Sequence, residues 1–213
     1  MRVYLSSHGF GAFTERLQQM VGDNKKVLFI DNAKDAGSVD DRQQHVVERR
    51  AEFEAAGFEF YELDLRKYFH QPEKLAPIVE NAGLVWASGG NTFLLRRAMA
   101  YSGMDQMIEA GLQKDLFVYG GSSAGSIVLT KTLRGTENGD DPYITTDGYD
   151  EEIIWSGLGL IYPQLVPHYQ SSWFGDSAQA MVDYFDTNGL IYQTLRDGDV
   201  YIVDGEYEQV LSA

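Results

Sequence analysis

A chain of 213 residues, 44% hydrophobic and 13% aromatic, carries enough apolar material for one well-buried core and too little length for two ordinary domains, so residues 1–213 read as one domain. Its 17 Lys and Arg against 32 Asp and Glu leave a net charge of −15, which repels a nucleic-acid duplex or an anionic bilayer. With no Cys, disulfides, thiolate metal clusters and a cysteine nucleophile are excluded, and covalent hydrolytic chemistry falls to Ser or Thr.

The amino-terminal residues Met1 to Ser7 lack the apolar stretch of a signal peptide, and nowhere do about 18 apolar residues run together, so the expectation is a soluble cytoplasmic protein. Short runs rich in β-branched and aromatic residues predict strands at Val3 to Leu5, Val27 to Ile30, Phe58 to Leu63, Leu84 to Ala87 and Leu116 to Tyr119. Between them Met104, Met107, Ile108 and Leu112 line one face of a helix, and Ala178, Met181, Val182 and Phe185 repeat that spacing, with Asp176 placed to cap the start and Gly189 the end. Leu190 to Thr194, Val200 to Val203 and Tyr207 to Leu211 are strand-like again, the last two joined across Asp204-Gly205 as a carboxy-terminal β-hairpin. Strands alternating with helices predict a three-layer α/β fold, a doubly wound, mostly parallel sheet covered on both faces. Chemistry in such sheets belongs to the loops that follow strands.

Three of those loops carry chemistry-bearing residues. After Leu116 to Tyr119 comes Gly121-Ser-Ser-Ala-Gly125, then the helix-compatible Ile127 to Leu133: the strand, tight turn and helix of a GxSxG nucleophile elbow, with Ser123 as nucleophile. An ordinary glycine-rich turn is the plainer reading. After Leu84 to Ala87 comes Ser88-Gly-Gly-Asn91, where Gly89 and Gly90 can offer bare amides and Asn91 can cap the helix starting at Thr92. The amide of Gly90 is the candidate oxyanion donor beside that of Ala124. A serine hydroxyl needs a base. His45 and His70 read as surface residues, whereas His168 ends the strand-like Gln164-Leu-Val-Pro, and His8 sits similarly after the first strand. Asp197 is the candidate acid to orient the imidazole, with Asp199, Asp140 and Asp141 as competitors.

Four stretches, Ser88-Gly-Gly-Asn-Thr-Phe, Gly121-Ser-Ser-Ala-Gly, Leu165-Val-Pro-His-Tyr and Leu195-Arg-Asp-Gly-Asp-Val-Tyr-Ile, together resemble the peptidase E family of aspartyl dipeptidases and their cyanophycinase relatives. The resemblance implies a class I glutamine amidotransferase-like, flavodoxin-like fold and serine peptidase chemistry without metal or organic cofactor. Ser123 then matches the nucleophile, His168 the base, Gly90 the oxyanion loop and Asp197 a position usually acidic. A short peptide is the implied substrate, possession of an amino-terminal residue to recognise being the dipeptidase version. Members that prefer an amino-terminal aspartate are expected to place a basic residue after the histidine, yet Tyr169 to Leu195 holds no Lys or Arg; Arg96 or Arg97 is the available substitute. An esterase or unusual-amide hydrolase with the same triad, and a non-catalytic ligand-binding module of the same fold, stay open, as does the oligomeric state, a homodimer among the options.

Overall fold

A computed structural model describes all 213 residues. In chain order the elements are β1 (Arg2–Ser6), α1 (Thr14–Val21), β2 (Lys26–Ile30), α2 (Val39–Ala55), β3 (Glu59–Glu62), α3 (Pro72–Val79), β4 (Leu84–Ala87), α4 (Thr92–Ser102) and α5 (Met104–Gln113). They continue with β5 (Val118–Ser122), α6 (Ala124–Ile127), β6 (Gln164–Val166), α7 (Gly175–Thr187), β7 (Tyr192–Thr194), β8 (Val200–Asp204) and β9 (Tyr207–Leu211). Seven strands form one sheet in the order β3-β2-β4-β5-β1-β8-β9, in which the first five are parallel, β8 runs antiparallel to β1 and β9 antiparallel to β8.

Alternation along the central strands divides the core in two. Leu5, Ile30, Val85 and Tyr119 point to the face covered by α3, α4 and α5, whose Leu75, Leu95 and Ile108 belong to the same cluster. Tyr4, Phe29, Trp86 and Val118 point to the opposite face, where α1 and α2 supply Leu17 and Phe53. Helices on both faces of a mostly parallel sheet make the three-layer α/β architecture expected from the sequence, and the strands, apolar on both sides, show why their runs are nearly continuous. A smaller cluster joins α7 to Phe93, Ile127 and Val166, and beside it β6 and β7 pair in parallel as a separate two-stranded sheet.

Local departures from the predicted elements have identifiable causes. β5 does not turn at Gly120 but runs on to Ser122, because Gly120 lies under Trp86, where a Cβ would come 2.3 Å from the indole, and a Cβ on Gly121 would come 2.4 Å from the carbonyl oxygen of Gly125. These glycines serve close approach within and beside the strand. The helix predicted through Leu133 lasts one turn, because the carbonyls of Val128, Leu129 and Thr130 accept instead from the amides of Leu158, Leu160 and Gly159. Asp176 does not cap α7: it sits in the first turn, where it acts only on the helix dipole, and Phe174 occupies the cap. The hairpin turn is Gly205-Glu206 rather than Asp204-Gly205, since Asp204 pairs with Tyr207, and Gly205 takes the positive φ of 65°.

Candidate active site

Parallel pairing brings the carboxyl ends of β1, β4 and β5 to one edge of the sheet: Leu5 and Ala87 both pair with Gly121. The loops that follow these strands therefore begin side by side. Ser123 leaves β5 with φ 51° and ψ −113°, a region costly for any residue with a Cβ, and its amide is tied to the carbonyl of Ser6 at 3.1 Å. Gly125 permits this turn, since a Cβ there would stand 2.1 Å from the carbonyl oxygen of Ala87. The elbow is thus held from both neighbouring strands, and the half-buried Ser123 lines a cavity of about 260 Å³.

On the far side of that cavity, the β6–β7 pair acts as a bracket. Val166 pairs with Thr194, the amide of Tyr169 donates to the carbonyl of Leu195, and so the residues just beyond the two strands are neighbours. These are His168 and Asp197. The imidazole Nδ1 of His168 lies 2.7 Å from Asp197 Oδ1, and a carboxylate only accepts, so Nδ1 carries the proton and Nε2 the free lone pair of the neutral ring. Ser7, from the loop after β1, closes a ring of contacts: the amide of His168 donates to Ser7 Oγ at 2.8 Å, and Ser7 Oγ donates to Asp197 Oδ1 at 2.8 Å. Trp173 donates its indole N–H to Asp197 Oδ2 at 3.3 Å and lies over the imidazole with ring centroids 4.3 Å apart. No hydrogen bond joins the Ser123 hydroxyl to the His168 ring; both groups line the same cavity.

Burial lowers the pKa of His168, against the pull of the Asp197 carboxylate, and the nearby His8 pushes the same way as burial. For Asp197 the largest effect is desolvation, which opposes ionisation, but the hydrogen bonds from His168, Ser7 and Trp173 together outweigh it and hold the carboxyl below its ordinary value. A neutral imidazole beside an ionised carboxylate is the resulting state near neutral pH.

The competing acids are occupied elsewhere. Asp199 accepts the backbone amides of Arg196 at 2.8 Å and Ala213 at 3.0 Å. Asp140 accepts from the amide and hydroxyl of Thr92 at the start of α4, at 2.9 Å and 2.6 Å, and Asp141 accepts from the amide of Tyr143 at 2.9 Å. Gly89 and Gly90 line the cavity, and neither amide has a hydrogen-bond partner within the protein. Gly90 has φ 144°, and a Cβ on it would meet the carbonyl oxygen of Ala33 at 2.5 Å. Ala124 is fully buried behind Ser123 as the first residue of α6, a position whose amide has no acceptor within the helix. Asn91 stays outside the cavity. Its side-chain oxygen caps α4 by accepting from Phe93 at 3.0 Å and Leu94 at 2.9 Å, and its amide nitrogen donates to the carbonyl of Asp141.

Neither arginine considered as a substrate counter-charge reaches the cavity. Arg96 pairs with Asp105 at 3.0 Å, and Arg97 is fully buried with its guanidinium on the carbonyls of Phe93, Ile144 and Asp150. Besides His8 and His168, the basic side chains on the wall are Lys34, His45 and Arg49. His45 is held by the buried Asp31 at 3.0 Å, Asp31 also accepts from Ser88, and Arg49 pairs with Glu52 at 2.6 Å. Lys34 has no carboxylate partner. A helix rich in charge reads as a solvated face, which is why His45 and Arg49 escape a sequence reading; the i, i+4 spacing that puts both on one side of α2 is the signal that was present.

The chain matches the model of Peptidase family S51 over residues 5–211. It is 27% identical over 189 residues to an uncharacterised peptidase, PM1590, of Pasteurella multocida (strain Pm70), covering 86% of this chain and 83% of that one. It is 31% identical over 160 residues to peptidase E of Nostoc sp. (strain PCC 7120), covering 74% of this chain and 58% of that protein. Among solved structures, a protein of Listeria monocytogenes EGD-e named as a putative peptidase E superposes with a TM-score of 0.78 at 19% identity, covering 100% of this chain and 98% of that one. A peptidase from an acI-B1 Actinobacterium superposes with a TM-score of 0.68 at 18% identity, covering 100% and 94%. These two likenesses bear on the fold alone, the three-layer α/β architecture described above. The chain belongs to peptidase family S51.

Proposed function

We propose that this member of peptidase family S51 is a serine peptidase that hydrolyses short peptides through an acyl-enzyme on Ser123. The observation that carries the reading is the Ser7-braced His168–Asp197 pair facing the cavity lined by Ser123 on its strained elbow. A substrate carbonyl between Ser123 and the Gly89–Gly90 loop meets two amides that have no other partner, joined by the amide of Ala124 as oxyanion donors. His168 Nε2 takes the proton of Ser123 as its Oγ bonds to the carbonyl carbon. When the C–N bond breaks, the same imidazole returns that proton to the departing amine. Water then repeats the sequence on the acyl-enzyme, with the proton passing through His168 to the Ser123 oxygen. Asp197 steadies the imidazolium formed in both halves. The separation of Ser123 from His168 in the absence of a direct hydrogen bond fits this scheme, because such contacts commonly tighten only around substrate.

The cavity, below the roughly 300–1,000 Å³ of typical ligand pockets, suits a short peptide and not a folded chain. Glu52 on its wall pairs with Arg49 through one oxygen and keeps the other for a free α-amino group, which favours an amino-terminal dipeptidase. Lys34, without a carboxylate of its own, supports a preference for substrates with an acidic side chain, supplied from a different segment than the one after the histidine. With no helix long and apolar enough to cross a membrane, a cytoplasmic location is part of the same reading. A fluorophosphonate probe should label the wild type at Ser123 and leave a folded Ser123→Ala protein untouched; an unlabelled wild type would sink the mechanism and favour a binding module. A panel of dipeptides, isopeptides and esters separates a peptidase from an esterase, and Lys34→Ala should raise KM for acidic dipeptides about tenfold more than for neutral ones.

A further inference from the structure

Beside the catalytic pair stands a histidine that the mechanism does not use. His8, in the loop after β1, is exposed, its ring has no hydrogen-bond partner, and it faces His168 edge-on with ring centroids 5.9 Å apart. One ring nitrogen from each histidine and one carboxylate oxygen of Asp197 lie within 4.8 Å of one another. We propose that His8, His168 and Asp197 form a binding site for a divalent metal ion of the zinc class, and that filling it switches the peptidase off.

Two imidazoles and a carboxylate are a donor set that zinc takes, with a water completing the tetrahedron. Zinc–nitrogen bonds of about 2.0–2.1 Å in a tetrahedron set donor atoms roughly 3.3–3.4 Å apart. Forming the site therefore means drawing the widest pair in from 4.8 Å and opening the 2.7 Å contact between His168 and Asp197 slightly. The first movement falls on exposed His8, whose ring gives up no hydrogen bond in turning, only edge contacts with His168 and Trp173. Asp197 is already oriented by Ser7 and Trp173, the kind of outer support that holds a ligating carboxylate in place. Neutral imidazole nitrogens and an ionised carboxylate are the forms a metal binds.

Either nitrogen of His168 gives the same outcome. Through Nδ1 the ion takes the place of the proton that is hydrogen-bonded to Asp197, and the neutral ring then carries its proton on Nε2, so no lone pair is left there to accept the proton of Ser123. Through Nε2 it occupies the lone pair that would accept the proton of Ser123. The inhibitory half of the proposal rests on the mechanism above, but the binding half does not.

The test uses the full chain stripped with EDTA and titrated with zinc chloride in a calorimeter, then with cobalt(II) to read the absorption bands of tetrahedral coordination. Wild type and Ser123→Ala should each bind one ion with the same affinity, and His8→Ala should bind about tenfold or more weakly. In wild type, zinc should slow fluorophosphonate labelling and EDTA should restore it, whereas His8→Ala, compared with its own metal-free rate, should need about tenfold more zinc. Unchanged affinity in His8→Ala, or no one-to-one binding to wild type at ~1 mM zinc, overturns the site. If wild type binds zinc through His8 but never labels, the site stands and the serine mechanism fails.

Discussion

Replacing Asp197 by Asn isolates what the carboxylate contributes, because the structure says which part of it survives. Three donors converge on Asp197: His168 Nδ1 at 2.7 Å and Ser7 Oγ at 2.8 Å on Oδ1, and Trp173 Nε1 at 3.3 Å on Oδ2. An Asn has one carbonyl oxygen, and the two shorter contacts claim it, leaving its NH2 toward the indole. Nδ1 of His168 then keeps its proton and Nε2 its lone pair, so the change removes charge but not the tautomer. A charge-assisted hydrogen bond contributes about 1.5–3 kcal/mol against about 1 for a neutral one. The difference of roughly 0.5–2 kcal/mol, with the lost Coulomb attraction to the imidazolium added, amounts to about one to two decades in rate at 1.36 kcal/mol per decade. The assay is the second-order rate of fluorophosphonate labelling, followed by hydrolysis of the best peptide of the panel. A loss below about threefold would remove Asp197 from the site, and a loss near the ~10⁴ expected of a reversed tautomer would show that Ser7 and His168 do not fix the amide oxygen. Asp199→Asn is the control: its two oxygens each accept one backbone amide, so the substitution should cost about 1–3 kcal/mol of stability and leave labelling within about threefold.

The pH dependence has a definite sign. Burial lowers the pKa of His168, so the neutral base persists to more acid solution than a free imidazole, and kcat/KM should hold steady down to ~6.5 before falling; an acid limb centred above about 7 contradicts this environment. Gly90→Ala forces a Cβ onto the carbonyl of Ala33 at φ 144°, so it should destabilise the fold by about 1–3 kcal/mol, or roughly 2–4 °C in melting temperature per kcal/mol. Labelling of that variant should fall about tenfold or more as the unpaired amides move. A variant that melts and labels like wild type would free the loop from both roles.

Most of the fold is legible in the residues because burial on two faces leaves long apolar runs, and Val27 to Ile30 or Leu84 to Ala87 hardly permit another reading. Boundaries fail where side chains are smallest. Gly120 and Gly121 speak for a turn when only the local chain is considered, yet they extend β5, since what they answer to is Trp86 on the next strand and Gly125 beyond the elbow. The predicted helix after the elbow fails for a related reason: its carbonyls accept instead from amides of residues about 30 positions later, and no local pattern encodes a competitor that distant.

The same distinction separates the legible from the hidden parts of the site. Ser123 and His168 each follow a strand, and a strand end is a local signal, so topology alone carries them to one cavity. The choice among four carboxylates is not local. It depends on β6 and β7 pairing in parallel with Val166 opposite Thr194, which sets Asp197 against His168 and turns Asp199 toward the backbone of its own turn and the carboxy terminus. That bracket also sets how far the acid must reach. The short side chain of Asp197 comes within 2.7 Å of Nδ1, with His168 itself at φ 59° and its backbone amide anchored on Ser7. Ser7 in turn gives no sign of function where it stands, a small polar residue after an apolar strand. Its importance comes from contacts spanning 161 and 190 residues of chain, and a loop that positions a catalytic pair from that distance is visible only once the strands are paired.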